Sequence, residues 1–131
     1  MIPLAGRNRG VSDPLTSLEQ ARRIAQLAQE KLAKDVVILD MRPVCSYTDY
    51  FVLATGGNPR QAKAIYDEVH ERLKKEAQLM PRNVHGGGEA KWILADYLDV
   101  VLHVFTPEAR DFYRLEDLWG DVPSVELAAA N

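Results

Sequence analysis

Gly86, Gly87 and Gly88 invite a phosphate-loop reading, because such a loop aims backbone N–H groups at an anion, usually at a helix N-terminus. This triplet leads instead into Glu89-Ala90-Lys91-Trp92, an extended segment, with neither the Walker nor the dinucleotide-binding spacing. A plain connection is the expectation. Gly56-Gly57-Asn58-Pro59 is a better-placed anion candidate, since a helix should start there, but its composition is also that of an ordinary tight turn. The turn is favoured. His70, His85 and His103 are widely separated and, with the single Cys45, give no recognised zinc spacing; His103 reads as a satisfied sheet histidine. Asp96 and Asp99 straddle a turn, and Asp49 precedes a strand. A two-metal site wants carboxylates brought together on adjacent strands, and the Asp-x-Asp pair such a site usually draws from one strand is missing here. An Mg²⁺-dependent nucleotidyltransferase using Asp49 or Asp96 therefore stands only as the alternative.

A different chemistry is better supplied. On an extended strand Trp92, Leu94 and Asp96 share one face while Ile93, Ala95 and Tyr97 share the other. One face must lie under helices; the other presents either Trp92 with Asp96, or Tyr97. A large aromatic beside a carboxylate is the composition of a protein-binding hot spot. The competing reading makes Trp92 a cap on the core and Asp96 the start of a turn.

The elements that must position these residues follow from periodicity. Thr16 and Glu19, or Ser17 and Gln20, have capping-box spacing, and Leu18, Ala21, Ala25, Ala28 and Leu32 continue one apolar face, predicting a helix over 17–33. Val36 to Leu39 and Tyr50 to Ala54 are apolar on both faces and read as buried strands. Asn58-Pro59 starts a second helix that runs to Ala77. A short edge strand is expected over 81–84, then a strand pair, 92–97 and 100–105, turning at Leu98-Asp99. Thr106-Pro107 opens a last helix through Trp119, stopped by Gly120. The fold class expected is α/β, a single domain with a mixed β-sheet of about five strands and helices packed on it. The domain proper spans 17–123, between a flexible lead-in at 1–16 and a disordered tail at 124–131.

A length of 131 residues, 47% apolar and 27% charged, suits one globular domain and excludes wholesale disorder. No apolar run approaches the ~20 residues of a membrane span. The lone cysteine fits a reducing compartment, and Met1 to Gly10 lacks the apolar region of a secretory signal, so a cytoplasmic location is expected. Charge is uneven: 13 basic against 10 acidic residues over 1–85, but three against nine over 86–131. A chain whose main task is gripping phosphate would carry a basic stripe. The acidic later half points toward a basic protein surface, with little direct RNA contact, or else serves only solubility.

Three stretches in order resemble the ribosomal silencing factor family (RsfS, Iojap-related): Ser46-Tyr47-Thr48-Asp49-Tyr50-Phe51-Val52; Trp92 to Tyr97 with Asp99 to Phe105; and Thr106 to Arg110 with Tyr113 and Leu115 to Trp119. The resemblance covers about residues 17–123. It implies a non-enzymatic α/β domain of nucleotidyltransferase-like topology, without cofactor or metal. It also implies binding to a large-subunit ribosomal protein (number fourteen in the standard naming), which blocks joining of the small subunit and lowers translation when nutrients are short. The contact surface expected is Trp92, Asp96, Tyr97, Asp99 and His103, with Asp49 and Tyr50 adjoining. A homodimeric scaffold held by an edge strand is a third reading, and dimerisation and silencing do not exclude each other. Two residues depart from the family pattern. Leu98 stands where glycine is common, and Lys91 where an acid is usual.

Overall fold

In the computed structural model, which describes residues 15–86, 89–118 and 122–127, the first helix opens on the anticipated capping box. The Thr16 hydroxyl accepts from the Glu19 N–H at 3.1 Å, and the Glu19 carboxylate accepts from the Thr16 N–H at 2.9 Å. This helix, α1 (Ser17–Glu30), stops three residues before the predicted end. Leu32 takes a φ of 65°, its N–H donates to Gln29 O, and the Ala33 N–H donates to Ala28 O. That is a Schellman ending built without the glycine that would have signalled it.

Strand β1 (Lys34–Asp40) and strand β2 (Tyr50–Thr55) pair antiparallel. From β2 the chain turns into α2 (Pro59–Ala77) through Gly56, where a Cβ would meet the Ala62 backbone nitrogen at 2.7 Å. Only glycine lets strand and helix approach this closely. The free N–H groups of the turn are used internally: Asn58 Oδ1 accepts from Gln61 N, and Gln61 Oε1 accepts from Gly57 N. The junction is a capped turn, as favoured from its composition.

Strands β3 (Asn83–His85), β4 (Trp92–Asp96) and β5 (Val100–Phe105) follow. The expected last helix is two pieces, α3 (Pro107–Tyr113) and α4 (Leu115–Leu118). Arg114 breaks it with a φ of 50°, and the predicted end at Trp119 lies outside the described residues. Ser124 and Val125, within the tail expected to be disordered, form β6 against β1; residues 128–131 lie outside the described set.

Among the described residues the sheet has six strands in the order β3-β4-β5-β2-β1-β6, close to the five or so anticipated. It is mixed: β2 and β5 run parallel at its centre and the other pairs are antiparallel. Both central strands are buried along their whole length, as their unbroken apolar runs predicted. Helices α1 and α2 cover one face, where Ile24, Leu27, Ile65, Val69 and Leu73 meet Val52, Ile93, Leu102 and Val104. The opposite face holds a smaller cluster of Leu39, Phe51, Leu53, Val101 and Phe105, partly roofed by α3 and α4.

Candidate functional site

Pairing register decides which residues reach the lightly covered face. Trp92 pairs with Phe105, Leu94 with His103 and Asp96 with Val101, so these side chains stand together. Ile93 and Ala95 point under the helices and are fully buried. Of the two options left open by alternation, Trp92 with Asp96 is the one presented.

Tyr97 and Tyr50, both expected on the contact surface, are instead packed in the helix-covered core at 3% exposure. Tyr97 continues the parity of Ile93 and Ala95, and Tyr50 pairs with Val100 on the same side. Neither presents its ring to a partner. Burial raises the Tyr97 phenol well above its ordinary value, and its hydroxyl has no hydrogen-bond partner among the described residues.

His103 is 3% exposed and lies among Phe51, Trp92 and Phe105, with ring centroids at 4.6, 5.8 and 6.1 Å. The Trp92 indole N–H donates to its Nδ1 at 3.1 Å. That bond fixes the tautomer: Nδ1 accepts, so the single proton of the neutral ring sits on Nε2. Desolvation pushes the His103 pKa down to about 3, which keeps the ring neutral. The satisfied sheet histidine of the sequence reading is only half satisfied, since Nε2 is buried without a partner among the described residues.

Trp92 partitions two clefts. On one side Tyr47, Phe51, Leu94, Asp96, Val101, His103 and Leu115 line a hollow of about 250 Å³. On the other, Lys91, Glu108, Ala109, Phe112 and Tyr113 bound a larger one of about 600 Å³. The Tyr113 ring packs 4.6 Å from Trp92, and Phe112 stands edge-on to Tyr113 at 77% exposure. Tyr47 is 61% exposed. The periodicity argument did not single out Tyr47, Phe112 or Tyr113 for contact; their aromatic type was the available signal, and only folding places them beside Trp92.

Arg110 fastens α3 and α4 next to this surface. Its guanidinium donates to Asp35 O, to Thr55 Oγ1 and, through two nitrogens, to the Glu116 carboxylate. The carboxylates divide. Asp96 accepts from the Leu98 N–H and pairs with Arg82 at 3.2 Å, so it shapes the turn as well as the cleft rim. Asp49 and Asp99 meet through their backbones at the end of the sheet, where Asp49 N donates to Asp99 O. Among the described residues no group of three or more His, Cys, Asp or Glu side chains is arranged to hold a metal ion, so the Mg²⁺ alternative finds no ligand cluster there. No helix among them is long and apolar enough to cross a membrane.

Fold and face together define a small α/β domain with one sheet face sealed by helices and the other left as an aromatic cleft. Residues 14–131 match the family model described as ribosomal silencing factor during starvation. The chain is 36% identical over 103 residues to the ribosomal silencing factor RsfS of Bacillus subtilis, covering 79% of this chain and 86% of that one. It is 32% identical over 120 residues to the chloroplastic protein Iojap of Arabidopsis thaliana, covering 89% of this chain and 48% of that longer one. A crystal structure of a Chromobacterium violaceum protein superposes with a TM-score of 0.77 at 33% identity, covering 89% of this chain and 98% of that one. The chain belongs to the ribosomal silencing factor family.

Proposed function

We propose that this domain lowers translation by docking its aromatic sheet face on the large ribosomal subunit, at ribosomal protein number fourteen, where its bulk blocks the small subunit. The observation that carries this reading is the pair of clefts about Trp92, flanked by exposed Tyr47, Phe112 and Tyr113. Aromatic side chains lose little conformational entropy on binding and dominate interface energetics. The acidic balance of residues 86–131 suits a basic partner and speeds encounter with it. Asp96, Asp49 and Asp99 contribute orientation; Tyr50 and Tyr97, being buried, do not take part. Action is steric, with no chemical step, and takes place where ribosomes assemble, in the cytoplasm.

The test is subunit joining. Purified large and small subunits are mixed with increasing amounts of the protein and followed by light scattering. Joining should fall as the protein saturates the large subunit, and the double variant Tyr47→Lys, Phe112→Lys should restore it. Both side chains are exposed, so the variant leaves the core intact. Normal joining at saturating protein would end the reading.

A further inference from the structure

The His103 Nε2–H group is a buried donor that the fold leaves without an acceptor among the described residues, on a ring that helps line the cleft beside Trp92. A buried N–H without an acceptor is costly, and native proteins keep few of them. The ring lines the 250 Å³ hollow with Phe51, Trp92, Leu94 and Leu115. Nδ1 is already taken by the Trp92 indole, so the proton cannot move there without breaking that bond.

We propose that the hollow over His103 receives an extended segment of a protein partner, whose peptide carbonyl oxygen accepts from His103 Nε2–H once the side chains that close over this nitrogen in the free protein part. This rests on the docking reading above and names the polar contact within it. The chemistry selects the acceptor. A neutral imidazole brings no charge to offset an anion, and Asp96, which lines the same hollow, is itself a carboxylate paired with Arg82, so the lining offers phosphate or carboxylate no free countercharge. A peptide carbonyl brings an acceptor without net charge, and its flanking side chains meet the apolar walls. The arrangement is a specificity device, because a partner surface lacking a carbonyl at that point leaves the donor buried and unpaired.

Two measurements on the full chain test it. The first compares wild type with His103→Phe for affinity toward purified large subunits and for melting temperature. The variant removes a donor that is idle in the free protein, so it should melt at or above the wild-type temperature while binding at least tenfold more weakly. Affinity within twofold of wild type overturns the proposal. The second follows the imidazole ¹⁵N and Hε2 resonances of wild-type protein on adding the isolated ribosomal protein number fourteen, a readout that does not depend on how the variant folds. A downfield Hε2 shift at saturation supports the bond, and an unmoved resonance overturns it, as does the same shift produced by ribosomal RNA alone. Trp92→Ala separates the two levels. If it weakens binding while His103→Phe does not, docking stands and the hydrogen bond fails; if it too binds normally, the docking reading falls and takes the proposal with it.

Discussion

The two faces of the sheet solve different problems with the same strands. Under α1 and α2 the buried side chains are mostly aliphatic, among them Ile24, Leu27, Ile65, Leu73, Ile93 and Leu102, with Tyr50 and Tyr97 as the aromatic members. Across the sheet, Trp92, Tyr113 and His103 pack at ring spacings of 4.6–5.8 Å beneath a cover of two short helices. The first face can be sealed because it carries few polar atoms. The second keeps an indole N–H and an imidazole that bond each other, with the second imidazole nitrogen left over. Stability resides chiefly on one side and the proposed docking on the other, a division that would let the surface change without unfolding its scaffold.

Substitutions on opposite faces can break that division. Leu102→Ala empties a fully buried site under the helices and should lower unfolding free energy by about 3 kcal/mol in urea titrations, while binding per folded molecule stays unchanged. Trp92→Ala acts the other way. Its half-buried ring should cost about 2 kcal/mol of stability, yet weaken large-subunit binding roughly 30-fold or more, as loss of an interface anchor does. If Leu102→Ala, measured while fully folded, weakened binding as much as Trp92→Ala, the faces would not be separable.

The helix-covered face was the more legible of the two. The capping box at Thr16, the Asn58-Pro59 start and the unbroken apolar strands all report local physics, and the structure has each of them. What stayed hidden depended on pairing. Alternation along β4 says that Trp92 and Tyr97 point opposite ways, but each set holds an aromatic and an aliphatic residue, so only the register with β5 reveals which set is covered. The stops at Leu32 and Arg114 were also unreadable, because non-glycine residues there adopt the left-handed conformation that glycine usually marks. Strand β6 is two residues long and carries no periodicity of its own. The Trp92–His103 bond joins residues 11 apart in sequence through the β4–β5 pairing, which no motif encodes.

Acid offers a smaller probe of the same contrast. His103 titrates at about 3 when folded but near its ordinary 6.5 when unfolded, so below that value the unfolded chain binds the extra proton. Its contribution to stability is therefore present above pH 6.5 and is lost progressively as pH falls toward 3. Melting temperatures recorded from pH 7 to pH 4 should drop, and the drop should be shallower in His103→Phe, which has no imidazole to protonate. Equal slopes would mean that the burial of His103 is not what holds the ring neutral.

The smallest effect belongs to the β4–β5 turn. Leu98 sits at a φ of 79° with its side chain 49% exposed, and its N–H donates to Asp96 Oδ1 at 2.8 Å. A side chain at positive φ costs roughly 1–2 kcal/mol, and glycine avoids this at an entropic cost of roughly 0.5–1 kcal/mol. Leu98→Gly should therefore raise stability by about 0.5 kcal/mol, read as a small increase in urea midpoint at unchanged slope. The turn bond to Asp96 involves only the backbone N–H of residue 98, so it survives the change, and so should affinity for the large subunit. A loss of affinity without a loss of stability would instead assign the exposed Leu98 side chain to the docking surface and extend that surface around the sheet's end.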